Sequence, residues 1–239
     1  MEENSPPELS IVVPVYNEEA MISGAVESLV GGLDAIGRAY EIVLAENGSS
    51  DATAILADEL GERFDQVRMR RTAEPNYGKA LRDGILNARG DIVVCEEIDL
   101  CDLDFLSRAL HLLDTNQADL VVGSKAMEGA DDARPLSRRV GTRAINLLLR
   151  WTLGFRGTDT HGLKAFRRDA LAPVARRCVA EKDLFASELV IRAEREGIAV
   201  REIPVSVREK RPPTVGLLRR VPGVMTHLAK LIIAIRVRK

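Results

Sequence analysis

The sequence has few cysteines, no excess of charge of either sign and no long apolar run. Its 239 residues include three cysteines, which cannot all pair with one another and lack the spacing of a zinc site. We therefore expect a reduced, cytoplasmic compartment. The net charge of −2 argues against a nucleic-acid partner, and no apolar stretch reaches the ~20 residues that cross a bilayer. The acidic, polar start, residues 1–8, is predicted to be disordered and does not resemble a signal peptide.

Three apolar stretches each stop abruptly at acidic or amide side chains. Residues 10–15 lead into Tyr16-Asn17-Glu18-Glu19, residues 41–45 into Glu46-Asn47-Gly48-Ser49-Ser50-Asp51, and residues 91–95 into Glu96-Glu97-Ile98-Asp99. Apolar, β-branched runs of this length are typical of buried parallel strands. Open α/β sheets bind ligands beyond the carboxyl ends of such strands, so we expect the three ends to form one site.

Strand and helix patterns alternate over residues 9–122, which predicts an α/β fold with a mostly parallel sheet flanked by helices. Besides the three strands above, the pattern predicts strands near 67–69, 120–122 and 199–207, a polar loop at 124–139 and a loop at 154–164. It predicts helices at about 19–37, 51–63, 78–89, 102–115, 140–153, 168–178 and 183–196. We expect Ser49 or Ser50 to cap the second helix. The helix at 140–153 is apolar over too much of its circumference for an ordinary surface helix.

The pair Glu97 and Asp99 suggests a site for a hard cation. Side chains alternate in an extended chain, so Ile98 should point away while both carboxylates face one point. Mg²⁺ prefers oxygen ligands and often bridges carboxylate and phosphate groups. On spacing alone, two solvated loop acids explain the pair equally well.

Four motifs, in this order, resemble those of family-two inverting glycosyltransferases with the GT-A fold. They are Val13-Pro14-Val15-Tyr16-Asn17-Glu18-Glu19, the turn Glu46 to Asp51, Asn76-Tyr77-Gly78-Lys79, and the segment from Gly90 to Asp99. The resemblance covers roughly residues 9–210, which we take as the glycosyltransferase domain. Within the family, the likeness is to polyprenyl-phosphate (dolichol-phosphate-type) mannose and glucose synthases, through Gly123-Ser124-Lys125 and the segment Thr158 to Phe166.

The resemblance implies transfer of a hexose from a GDP- or UDP-hexose to a polyprenyl phosphate, with inversion and with Mg²⁺ or Mn²⁺. Implied contacts to the nucleotide sugar come from Pro14, Tyr16, Glu18, Glu46, Lys79 and Asp99. Glu97 and Asp99 are the implied metal ligands, and catalytic roles are implied for Asp99, Glu97, Asp159 and His161. Contacts to the acceptor phosphate are implied for Lys125, Arg138, Arg139 and Arg211.

Several positions depart from the family pattern and keep other functions open. Glu97 replaces the usual first aspartate of the metal motif, Asn47 replaces the second acid of its turn, and Cys101 replaces a glutamine. An inactive sugar-nucleotide binding module therefore remains an alternative. Transfer to a soluble or protein acceptor is a second alternative. A nucleotidyltransferase on a related sheet is a third, but it would need a glycine-rich, basic turn after the first strand, which Tyr16-Asn17-Glu18 does not resemble. For His161, a structural hydrogen bond is as good an explanation as catalysis.

The last segment, residues 211–239, combines apolar positions at helical spacing with basic residues. Such a basic amphipathic helix is typical of a protein peripheral to the membrane surface. We expect it to lie at the cytoplasmic face without crossing, and the helix at 140–153 could join the same surface. The alternative is a helix that packs on the core or on another subunit.

Overall fold

The structure, a computed structural model, describes residues 6–207, 226 and 228–236. Its strands are β1 (Leu9–Val15), β2 (Tyr40–Glu46), β3 (Val67–Arg71), β4 (Ile92–Cys95), β5 (Leu120–Ser124), β6 (Asp131–Asp132), β7 (Lys164–Arg167), β8 (Val200–Pro204) and β9 (Ser206–Val207). Its α-helices include α1 (Ile22–Ile36), α2 (Thr53–Arg63), α3 (Tyr77–Leu86), α4 (Leu103–Asp114), α5 (Leu136–Leu153), α6 (Arg168–Arg177) and α7 (Phe185–Arg195). A short 3₁₀ turn, Lys182–Leu184, precedes α7, and residues 228–236 form a C-terminal helix.

Seven strands form one sheet in the order β3-β2-β1-β4-β7-β5-β8. All neighbours pair in parallel except β7, which is antiparallel to both β4 and β5. The mostly parallel sheet predicted from the sequence is thus confirmed. β7 itself was not predicted, because its four residues fall between an expected loop and an expected helix and are too few to show a period.

Helices cover both faces of the sheet. Neighbouring residues of a buried strand point to opposite faces, so each strand contributes to both cores. Ile11 and Val13 of β1 belong to the core under α1, α2 and α4. Val12 belongs to the opposite core, which α3, α5, α6, α7 and the C-terminal helix cover. This double burial explains why the strands appear in the sequence as unbroken apolar runs.

The starts of α1, α2 and α5 differ from the prediction, and α1 begins at Ile22 rather than near 19. Neither Ser49 nor Ser50 caps α2; its N-cap position is Ala52, and Asp51 accepts the hydrogen bond from the Thr53 N–H at 2.9 Å. Helix α5 begins at Leu136, directly after Pro135 and before the predicted start at 140. Pro135 is the N-cap residue, and its carbonyl accepts from the N–H groups of Arg138 at 2.9 Å and Arg139 at 3.2 Å. The predicted polar loop at 124–139 therefore holds the first turn of α5 and also strand β6, which pairs with β9.

The C-terminal helix does not turn its apolar side outwards as we predicted. Leu228, Leu231 and Ile235 are buried in the same core as α5. The Arg236 guanidinium also donates to the Thr152 carbonyl at 2.5 Å. The alternative, a helix packed on the core, is thus correct for these residues, while Arg211 and the rest of 211–225 lie outside the described part of the chain. Among the described residues, no helix has both the length and the apolarity needed to cross a bilayer.

Candidate active site

The carboxyl ends of β1, β2 and β4 meet at one edge of the sheet. Val15 pairs with Glu46, and Val12 pairs with Cys95. The chain runs from β1 through β2 to β3 on one side and then returns to place β4 on the other side of β1. Such a reversal of strand order opens a crevice between the diverging loops. The three polar loops that the sequence singled out are therefore neighbours here.

The loops after β1 and β2 brace each other through hydrogen bonds. Asn17, with a φ of 54°, donates its N–H to Ser49 Oγ at 3.0 Å and accepts from the Ser50 N–H at 2.9 Å. The Glu18 N–H donates to Thr53 Oγ1 at 2.7 Å. Next to these hydrogen-bonded loops, the Tyr16 side chain is 44% exposed, so its ring is accessible to a ligand.

The residues predicted to contact the nucleotide lie at different depths around this frame. Pro14 is buried inside β1, and Glu46 is only 4% exposed, with Oε1 accepting from the Ser49 N–H at 2.6 Å. Glu18 is partly buried, whereas Lys79 is exposed on the first turn of α3. Among these residues, the Tyr16 ring and the Lys79 side chain are therefore exposed, whereas Pro14 and Glu46 are buried.

Asn47, at the position of the family's usual acid, makes a structural hydrogen bond. Its Oδ1 accepts from the Asn76 N–H at 2.5 Å. Asn76 is the N-cap of α3, where its own Oδ1 accepts from the Lys79 N–H at 3.1 Å. The amide of Asn47 thus fixes the start of α3 and, with it, the position of Lys79.

The two acids after β4 lie in a turn, where the Leu100 N–H donates to the Glu97 carbonyl at 3.0 Å, and not in the extended chain from which their alternation was predicted. Ile98 is 5% exposed and packs in the core, while Glu97 and Asp99 remain partly accessible. Glu97 Oε1 accepts from Tyr77 Oη at 2.8 Å. Burial, together with the charge of Asp99, raises the pKa of Glu97 despite that hydrogen bond. A partly buried carboxylate with a second acid beside it is a suitable place for a divalent cation.

These two acids would supply only part of a coordination shell. In the described ranges, no group of three or more acidic, histidine or cysteine side chains is arranged to hold a metal. An ion bound at Glu97 and Asp99 would take its other oxygen ligands from water or from phosphate, as Mg²⁺ often does.

Asp159 lies completely buried behind the crevice, where it holds a lysine. Lys125 Nζ is 3.1 Å from Asp159 Oδ2, and the His161 N–H donates to Oδ1 at 2.9 Å. Burial would raise the pKa of Asp159, but the Lys125 charge and the contacts with His161 outweigh it and hold the pKa below its usual range. The Lys125 and Asp159 side chains therefore form a buried ion pair.

A second buried lysine, Lys164, was not predicted. It is 2% exposed, its Nζ donates to the Gly162 carbonyl at 2.6 Å, and burial lowers its pKa. Gly162 itself has no room for a side chain, since a Cβ there would meet the Gly123 carbonyl oxygen at 1.6 Å. This close contact between the loop before β7 and the end of β5 keeps Asp159 and Lys125 together.

A basic pocket with a volume of about 70 Å³ opens at Lys125, the partner of Asp159. This is room for several water molecules or one small anion. Its charged lining consists of Lys125, Asp132, Arg134, Arg139 and Arg143. Lys125 and Arg139 are thus brought together as expected, while Arg138 is not part of the lining.

Arg134 and Arg143 are lining residues that the sequence analysis did not select. Arg134 forms a two-pronged ion pair with Asp132, through Nε and Nη2 at 2.8 Å each. Arg143 follows Arg139 by four residues on α5, a spacing that places both on one side of a helix. That spacing was the available signal, but it became useful only once α5 was seen to start at Leu136.

The model of the family "Glycosyl transferase family 2" matches residues 10–174. The chain belongs to this family. This family 2 glycosyltransferase is 31% identical to "Glycosyltransferase AglD" of Haloferax volcanii over 93% of its own length and 36% of the relative's. It is 28% identical to the "Dolichyl-phosphate hexose transferase" of the same organism, over 85% of its own length and 84% of the relative's.

Solved structures agree with the GT-A fold. The glucosyl-3-phosphoglycerate synthase of Mycobacterium tuberculosis, in complex with UDP, superimposes with a TM-score of 0.70 at 23% identity. The alignment covers 96% of this glycosyltransferase and 80% of that chain. The chain spans only about a third to a half of the length of the first three curated relatives it matches.

Proposed function

We propose that the chain transfers a hexose from a GDP- or UDP-hexose to a polyprenyl phosphate, with inversion at the anomeric carbon. The observation that carries this proposal is the basic pocket around Lys125. Lys125 lines the pocket and also acts electrostatically on Glu97. An anion in the pocket would therefore lie close to a diphosphate held at the acids. The 28% identical relative named for dolichyl-phosphate hexose transfer supports a lipid phosphate as the acceptor.

The donor would bind along the braced loops. The exposed Tyr16 ring offers a stacking surface for the base, above the buried Pro14 and Glu46. Lys79 and the start of α3 attract the diphosphate, since helix N-termini favour anions. Mg²⁺ or Mn²⁺, bound by Glu97 and Asp99, would neutralise charge on the leaving diphosphate.

The acceptor would enter the basic pocket. A phosphate group is already anionic near neutral pH, so its oxygen needs no strong base before it attacks. That oxygen forms a bond to the anomeric carbon while the bond from this carbon to the donor diphosphate breaks, and the electron pair leaves on the diphosphate. Lys125, Arg139 and Arg143 would hold the acceptor phosphate in line for this displacement. Asp159 and His161 would then act by holding Lys125 in place.

A soluble phosphorylated acceptor is the second candidate. The pocket would recognise a phosphate group and contains nothing specific for a polyprenyl chain. The structural neighbour is named for synthesis of glucosyl-3-phosphoglycerate, whose acceptor part is small and soluble. A lipid acceptor would place the enzyme at the membrane, and we propose a peripheral position at its cytoplasmic face.

Parallel transfer assays separate the two candidates. The purified protein would be incubated with Mn²⁺ and a labelled UDP- or GDP-hexose, together with either a short-chain polyprenyl phosphate or 3-phosphoglycerate. We expect label in the organic phase only with the polyprenyl phosphate, and an anomeric configuration opposite to that of the donor. A water-soluble product formed with 3-phosphoglycerate alone would contradict the lipid acceptor.

A further inference from the structure

Helix α5 exposes a row of large apolar side chains. Leu136 is 70% exposed, Val140 54%, Leu147 54% and Trp151 81%. With 3.6 residues per turn, the four positions fall within an arc of about 60° around the helix. Leu149 and Leu153, on the opposite side, are buried in the core. The helix therefore has two apolar faces, of which the core covers one.

Arginines border this exposed row. Arg139, Arg143 and Arg150 fall within an arc of about 40° directly next to it. The 18 residues of α5 include four arginines and no acidic residue. Arg139 and Arg143 also line the basic pocket, so the pocket lies alongside the exposed apolar row.

We propose that this face of α5 is a membrane-docking surface for a bilayer that contains anionic lipid. Leucine, valine and tryptophan on one side of a helix, with arginines beside them, form the pattern of helices that lie in the membrane interface. Tryptophan is enriched at that depth because its ring is amphipathic. We thus assign to α5 the membrane contact that the sequence predicted for the C-terminal helix, whose apolar residues are buried in the core.

A second copy of the chain fits this face less well than lipid does. It would bring the same acid-free helix against the arginines and so would offer them no counter-charge from α5. Anionic headgroups supply that charge, and the acyl chains accept the apolar row at the same time. This surface deepens the peripheral membrane position proposed above, and it is argued without reference to the acceptor.

The position of Trp151 permits a direct test, because it is the only tryptophan in the chain. The full-length protein would be mixed with vesicles of phosphatidylcholine and phosphatidylglycerol that contain neither polyprenyl phosphate nor nucleotide. We expect a blue shift of the tryptophan emission, quenching by lipids brominated on their acyl chains, and co-sedimentation that weakens at high salt. Unchanged emission at saturating lipid would overturn the proposal, whatever the outcome of the transfer assays.

Two matched variants test the surface itself. Leu147→Glu places a charge in the row and should weaken vesicle partitioning at least about tenfold, as expected from the loss of one buried leucine. Ile55→Glu changes an isoleucine that is 62% exposed on α2, on the other face of the sheet, and should bind vesicles like the wild type. Equal binding by Leu147→Glu and wild type would contradict the proposal. A blue shift that follows protein concentration without vesicles, with a dimer in sedimentation, would assign the face to a second copy instead.

Discussion

Buried carboxylates lie at both edges of the sheet, with Glu41 near the amino end of β2 and Glu96 directly after β4, but their negative charge is compensated to different degrees. At the amino edge, Glu41 is 1% exposed and accepts from Arg68 Nε at 2.6 Å, Arg89 Nε at 2.7 Å and Ser10 Oγ at 2.5 Å. Burial alone would raise its pKa, but these hydrogen bonds outweigh burial and hold the pKa at about 2.

At the carboxyl edge, the negative charge of the acids is less well compensated by hydrogen bonds and positive side chains. Burial raises the pKa of Glu96 to about 8, and burial also raises the pKa of Glu97. An acid that is paired within the protein stabilises the fold, whereas acids left under-compensated in a crevice are typical of functional sites. We therefore propose that the amino edge contributes to stability and that the carboxyl edge binds ligand.

The largest effect at the carboxyl edge should come from Asp159→Asn. The change removes the buried partner of Lys125, and loss of one member of such a pair costs ~2–5 kcal/mol. We expect kcat/KM for the acceptor to fall by about a hundredfold, while binding of the nucleotide, measured by calorimetry, is retained.

Asp119→Asn is the control for this change, because Asp119 forms an exposed, long ion pair with Arg167 at 3.7 Å. Exposed pairs contribute little, so this variant should retain its activity. A fall of less than threefold in Asp159→Asn would show that the Lys125 position does not depend on the pair.

At the amino edge, Glu41→Gln should reduce stability rather than activity. The change leaves Arg68 and Arg89 without their buried partner, and we expect the free energy of unfolding at pH 7 to fall by about 3 kcal/mol. Urea unfolding would measure this loss. Turnover per folded molecule should not change, and a selective loss of turnover would contradict the division between the two edges.

The same variant should change the response to acid. The folded pKa of Glu41, about 2, lies below its ordinary value of 4.5. Its contribution is therefore fully present above about pH 4.5 and is lost as the pH falls towards 2. The difference in stability between wild type and Glu41→Gln should shrink over this range, and a constant difference would be evidence against the ion-paired state.

A smaller effect is expected from Arg143→Gln at the basic pocket. The pocket keeps its other cations, so we expect KM for the acceptor to rise by about five- to tenfold, the effect of one charge contact of ~1 kcal/mol or slightly more. The KM for the donor should stay the same. Arg195→Gln, on an exposed arginine of α7, is the matched control, and equal acceptor KM values in both variants would remove Arg143 from the site.

The sequence was sufficient for the strands that carry the site. β1, β2 and β4 are buried on both faces, so they appear as apolar runs that end at polar motifs, and their order places those ends together. Only some of the residues that line the basic pocket could be predicted from the sequence. Lys125 and Arg139 could be named by resemblance, but Arg134 and Arg143 enter through the start of α5 and the pairing of β6 with β9, both of which depend on long-range contacts.

The two amphipathic helices show a different limit of sequence patterns. An apolar stripe has the same period whether it faces the core, a membrane or another chain. The stripe of the C-terminal helix, Leu228, Leu231 and Ile235, faces the core. In α5 the excess of apolar residues noted in the sequence became interpretable only when exposure was known at Leu147 and Trp151.

The most direct test of the carboxyl edge is calorimetric titration of UDP- and GDP-hexoses into wild type and Asp99→Asn, with and without Mn²⁺. Asp104→Asn, on a 76% exposed side chain of α4, is the control. We predict binding that requires Mn²⁺ in wild type and in Asp104→Asn, and binding at least about tenfold weaker in Asp99→Asn, a loss of ~1.4 kcal/mol or more, with an unchanged melting temperature. Equal affinity in all three proteins, with or without the ion, would contradict a metal-assisted nucleotide site at Glu97 and Asp99.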